Sequence, residues 1–136
     1  MNHQFHSESL VNNVFSFENP DDIGCTVWQY AVGHSEMRIQ LFDNSKGLIY
    51  YLDFIMVHYF SGPLKWHGAN FKLHSWNDSL PLMKELGQLP DLEKAPEEIK
   101  KMMIESAFKL HTISAIHPKV EIKILSAGGH LSEKNE

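Results

Sequence analysis

Residues 36–54 constrain the fold more than any other stretch. Met37, Ile39 and Leu41 alternate with Glu36, Arg38 and Gln40, the period-two pattern of a half-buried strand. Asp43-Asn44-Ser45-Lys46-Gly47 follows, a run of turn formers, and then Leu48-Ile49-Tyr50-Tyr51-Leu52-Asp53-Phe54. If Asp43 faces Leu48 across a four-residue loop, Leu41 faces Tyr50, Ile39 faces Leu52 and Met37 faces Phe54. All six are apolar or aromatic and share one face. The same register sets Gln40 beside Tyr51 and Arg38 beside Asp53, an opposite-charge pair on the other face. Two faces agreeing on one register specify an antiparallel hairpin.

Beyond Phe54 the apolar phase flips to Ile55, Val57 and Tyr59. One extra residue reverses the faces, so a bulge or strand break is expected near Phe54–Ile55. The pattern then predicts a second hairpin, 55–60 with 70–75, joined by a long loop 61–69. Phe71 and Leu73 would share the core side with Ile55, Val57 and Tyr59. Met56, His58, Phe60, Lys72, His74 and Trp76 would take the opposite face.

Val14–Phe17 and Thr26–Tyr30 read as two further short strands around the turn former Asn19-Pro20-Asp21-Asp22. Residues 77–96 carry Pro81, Pro90 and Pro96 and read as a connector with one helical turn at 79–86. Ile99, Met102, Met103, Ser106, Ala107 and Leu110 recur at helical spacing. Pro96 suits the first helical position, and Glu97 and Glu98 suit the positive end of the dipole. A helix over 96–107 follows, with 108–113 either continuing it or turning extended. Val120, Ile122 and Ile124 alternate with charges as a last strand, which Ala127-Gly128-Gly129 ends. The fold class is therefore α+β and sheet-led. A twisted antiparallel sheet or small open barrel of about six to seven strands is expected, with one main helix closing a face or end. Residues 1–136 read as a single domain with loose ends at 1–10 and 132–136.

Composition narrows the function. The 136 residues are 43% apolar, enough for one core and too ordered a composition for global disorder. No apolar run approaches the ~18–20 residues of a membrane span. The net charge is −5, and residues 1–68 hold 7 acids against 3 bases. Arg38 is the single arginine among 12 basic residues. Phosphate and base recognition lean on arginine, so nucleic acid is not expected as the partner. A basic protein partner fits the acidic balance better. Cys25 is the single cysteine, which excludes an internal disulfide and a multi-cysteine zinc motif. It suits a reducing compartment, and the N-terminus lacks a secretory pattern, so a cytoplasmic location is expected.

No nucleophile elbow, phosphate loop or dinucleotide fingerprint is present. Nine histidines are the compositional oddity. His58 and His74 would share a face of the second hairpin, with Trp66 and His67 in its loop and Phe60 and Trp76 alongside. His58, Phe60, Trp66, His67, His74 and Trp76 are thus the candidate binding residues, with no catalytic residue and no cofactor assigned. The leading expectation is a non-catalytic protein-binding module, of an adaptor or immunity-like kind, using this aromatic and histidine surface. The alternative is a small-ligand or metal-binding protein or enzyme with a His-lined pocket on 55–76, where His58, His67 and His74 would ligate a zinc ion. A homodimer through the mixed face would serve either.

Overall fold

The computed structural model describes residues 10–87 and 94–134. Ten strands are present: β1 (Leu10–Val11), β2 (Ile23–Ala31), β3 (Glu36–Asp43), β4 (Leu48–Ile55), β5 (Tyr59–Ser61), β6 (Lys65–His67), β7 (Phe71–His74), β8 (Lys109–Ser114), β9 (Glu121–Ser126) and β10 (Gly128–Glu133). Two helices separate β7 from β8, α1 (Trp76–Glu85) and α2 (Glu97–Ala107). The strands form two antiparallel five-stranded sheets. The front sheet has the order β10-β4-β3-β2-β6 and the back sheet the order β1-β7-β8-β9-β5. The sheet-led α+β class holds. Among the described residues the strands exceed the six or seven expected, and there are two α-helices rather than one.

The β3–β4 hairpin has the register that both of its faces specify, from Asp43 opposite Leu48 to Met37 opposite Phe54. The break after Phe54 is a change of sheet. β4 ends at Ile55, Met56 takes φ +49°, and His58 donates its N–H to Leu125 O in the back sheet.

The second hairpin does not form. β5 pairs with β9, β7 pairs with β1 and β8, and the expected loop between them contains β6, which pairs with β2 of the front sheet. Two glycines permit these crossings. A Cβ on Gly62 would meet Ile122 at 2.8 Å, and Gly68 sits at φ +116°. The expected faces change with it: Ile55 is exposed, Phe60 packs on the main core and Tyr59 on the helix side of the back sheet, because each short strand finds its partner far along the chain.

Other expectations change for local reasons. Val14–Phe17 is not a strand: Asn13 and Ser16 take positive φ, and the Asn13 side chain bonds Phe17 through both N–H and C=O. Residues 76–85 are a full helix rather than one turn within a connector. Ser75 caps it by accepting the Asp78 N–H, and Met83 and Ser79 bury against the back sheet despite Pro81 inside. Pro96 occupies the cap of α2, not its first turn. Residues 109–114 are extended as β8. Gly128-Gly129 opens a strand instead of ending one, so residues 132–133 are paired with β4 and are not a loose end. Of the expected N-terminal loose end, residues 1–9 lie outside the described residues.

The main core fills the space between the sheets. Ile39, Leu41, Leu52 and Phe54 of the front sheet meet Phe71, Ile113, Ile122 and Ile124 of the back sheet. A second cluster of Met83, Ile104, Leu110 and Leu125 glues both helices to the outer face of the back sheet. The outer face of the front sheet is thereby left to solvent at positions such as Phe42 and Ile55.

Candidate functional site

The six residues singled out from the sequence separate into three pairs. His74 and Trp76 line a groove of about 400 Å³ between the end of β7, α1, α2 and β8, walled by Ile104 and Phe108. The His74 Nε2 lies 2.7 Å from Thr112 Oγ1, and its Nδ1 lies 3.8 Å from an Asp78 oxygen. Hydroxyl, imidazole and carboxylate in that order are the makings of an activated nucleophile. Thr112, however, is buried on β8 and lies outside the groove lining. The set therefore ties β7, β8 and α1 together rather than attacking a substrate.

His58 places Nε2 3.2 Å from Ala107 O and stacks on Phe108 with ring centroids 4.3 Å apart. A donor on the last carbonyls of α2 is a capping contact. Phe60 is half-buried against the main core. Trp66 is only 3% exposed, opposite Cys25, and its Nε1–H donates to Gly68 O at 2.9 Å. It is a core residue and not part of an exposed binding surface. His67 stands on the outer face of the front sheet. With the second hairpin gone, His58, His67 and His74 lie on three separate segments. Among the described residues no three His, Cys, Asp or Glu side chains gather as a metal site.

Of the buried titratable groups, His111 was not singled out from the sequence. His111 lies in the main core, stacked on Phe15 and edge-on to Phe54, and its Nδ1 has no hydrogen-bond partner. Burial, helped by the positive charges of Lys109 and His74, pushes its pKa down to about 4. Cys25 is buried, and burial pushes its thiol far up, so it is no nucleophile.

A different feature stands out at the edge of the front sheet. β6 covers β2 only from Gly24 to Thr26, and Leu64 O takes the Val27 N–H at 2.7 Å. The ladder with β3 slips between Val27 and Gln29, leaving Trp28 as the extra residue of a bulge. Beyond it, the stretch 29–31 pairs with β3 alone. Across the gap, β5 is the matching edge of the back sheet, paired only with β9. Tyr30 and Met37 line a depression of about 270 Å³ there with Val57, His58, Tyr59 and Phe60. Four large apolar residues stand exposed around this edge: Trp28 (55%), Tyr30 (46%), Val32 (79%) and Leu64 (70%). Two sequence candidates, His58 and Phe60, fall beside it. Trp28 and Tyr30 were missed because the free edge depends on where β6 stops, which no local pattern records.

Set against models of protein families, curated proteins and solved structures, the chain matches none of them.

Proposed function

We propose that the protein is a non-catalytic protein-binding module that takes an extended segment of a partner protein along the open edge of β2. The observation that carries this reading is the half-covered strand: Thr26 is paired on both sides, while 29–31 is paired on one. An unpaired edge offers backbone donors and acceptors to an added strand. Natural proteins usually blunt such edges with charge or proline, and here Trp28, Tyr30 and Val32 flank it instead. Exposed Trp and Tyr supply most of the binding energy in many interfaces. Glu36 beside Ala31 and the net charge of −5 favour a partner segment carrying basic residues between its apolar ones. The lone Arg38 is engaged with Asp53, which supports a role away from nucleic acid. Among the described residues no helix is long and apolar enough to cross a membrane. A buried, unpaired Cys25 suits a cytoplasmic location.

Photocrosslinking in cells tests the reading, with the full chain carrying a benzophenone amino acid at position 28, 30 or 64 and, as control, at Lys101 on α2. The expected result is one partner joined at the edge positions and not at the control. Amides 28–31 of the purified complex should then exchange hydrogen more slowly than in the free protein. A partner joined only at Lys101, or one that leaves those amides unchanged, overturns it. A product joining two copies of this chain replaces it with an edge-paired homodimer.

A further inference from the structure

Three strands lay out a small grid on the outer face of the front sheet, at the opposite end of β2 from the open edge. Their registers put His67, Gly24 and Phe42 in one row and Lys65, Thr26 and Gln40 in the next. Cys25, Trp66 and Leu41, between those rows, point into the core. Gly24 contributes no side chain, so the first row has a gap between an imidazole and a phenyl ring. The gap is the floor of a hollow of about 390 Å³. His117 and Pro118, from the β8–β9 connection, close one side. They are held there by His67 N–H to His117 O and Ile116 N–H to His67 O, both 2.8 Å.

The dimensions and the charges specify an occupant. Strands two apart in a sheet lie roughly 9.6 Å from each other. Two successive ring contacts at the short end of the ~4.5–7 Å aromatic range span the same distance, so one planar ring fits between His67 and Phe42. One row along, Lys65, Thr26 and Gln40 offer an ammonium, a hydroxyl and an amide. Lys65, His67 and His117 line the hollow, and no carboxylate does. Lys65 takes part in none of the ion pairs among the described residues. In a chain of net charge −5, a hollow lined by an ammonium and hydrogen-bond donors, with no carboxylate, is complementary to an anion.

We infer that this hollow binds a small planar aromatic acid, its ring over Gly24 between His67 and Phe42 and its anionic group on Lys65 and Thr26. The inference goes beyond partner docking at the β2 edge and stands independently of it.

Gly24 supplies the decisive variant. A Cβ there meets nothing closer than His67 Nδ1 at 3.8 Å, and valine suits a strand. Gly24→Val should therefore fold and fill the floor. The experiment is titration of the full chain with benzoate, followed by amide chemical shifts. Saturable shifts are expected at Gly24, Thr26, Phe42, Lys65 and His67. Benzyl alcohol, which keeps the ring without the charge, and acetate, which keeps the charge without the ring, should each bind about tenfold more weakly. Gly24→Val and Lys65→Gln should each weaken benzoate by a similar factor while leaving the rest of the amide spectrum in place. Shifts that do not saturate, that centre elsewhere, that benzyl alcohol reproduces at equal affinity, or that survive Gly24→Val unchanged overturn the assignment.

Discussion

Arg38 lays two guanidinium nitrogens on the two carboxylate oxygens of Asp53, at 2.8 and 3.0 Å across the β3–β4 ladder. The same guanidinium sits 4.5 Å from the centre of the Tyr51 ring. A planar fork on a carboxylate and a flat cation on an aromatic face are both geometries that lysine cannot copy. The pair is partly open to water, at 40% and 31% side-chain exposure, so screening limits its worth to about 0.5–1 kcal/mol. Arg38→Lys is expected to lower the urea midpoint by a corresponding amount with the slope unchanged. The deficit of Asp53→Asn should shrink in 1 M salt, where the Debye length is about 3 Å. A wild-type midpoint for both variants would show that the pair adds nothing.

This pair was legible in the sequence because the turn formers at 43–47 fix the loop locally and both faces of the hairpin then agree. The same logic misled one strand later. Residues 55–75 do alternate, but the faces fall otherwise: Ile55 is exposed, Phe60 packs on the main core and Tyr59 on the helix-side cluster. β5, β6 and β7 pair with β9, β2 and β8, and alternation does not say which strand is the partner. The candidate site suffered in the same way. Phe60 and His58 were flagged for their chemistry and do lie near the β2 edge. Trp28 and Tyr30 looked like ordinary strand residues until the end of β6 left them uncovered. Gly24 matters only because His67 and Phe42 arrive on either side of it from strands 43 and 18 residues away.

His111 carries an acid sensitivity. Its ring lies between Phe15 and Phe54, with no partner for Nδ1. Folding lowers its pKa from 6.5 to about 4, so the unfolded chain binds the proton more readily. A depressed base of this kind gives stability that is complete above pH 6.5 and lost as pH falls toward 4. The full range corresponds to ~3 kcal/mol. His111→Phe removes the titrating group and the unpaired nitrogen; its larger ring shifts stability at every pH alike, so the comparison rests on the pH dependence. Denaturant midpoints measured from pH 7 to 4 should fall more steeply for the wild type than for the variant. Parallel falls would assign the acid loss to other groups.

Of the three tryptophans, Trp66 is a core residue and Trp28 an edge residue. Trp66→Ala removes a buried indole and leaves Gly68 O with only the weak Cys25 thiol donor, at a cost of ~3–5 kcal/mol. Trp28 is more than half exposed, so Trp28→Ala should stay within about 0.5 kcal/mol of wild type. Thermal melts separate the two outcomes. If Trp28→Ala unfolded the protein as Trp66→Ala is expected to, the β2 edge would be a structural element and not a docking surface.

Pro81 is where the chain departs furthest from local propensity. It is the sixth residue of α1, where it has no N–H for the Asn77 carbonyl and its ring crowds that carbonyl. The helix persists because Ser79 and Met83 are buried against its neighbours and Leu80 packs beside them. The proline ring itself faces solvent. Pro81→Ala thus restores a hydrogen bond without opening a cavity. The gain approaches the ~3 kcal/mol by which Ala exceeds Pro in a helix, less the ~0.4–1 kcal/mol that proline contributes by restricting the unfolded chain. Relaxation of the folded helix around the ring lowers it further, to about 1–2 kcal/mol. The urea midpoint should rise with an unchanged slope. A fall would mean that the backbone geometry Pro81 imposes is what seats Trp76 and Met83 on the back sheet, and that the helix without it loses more packing than its extra hydrogen bond returns.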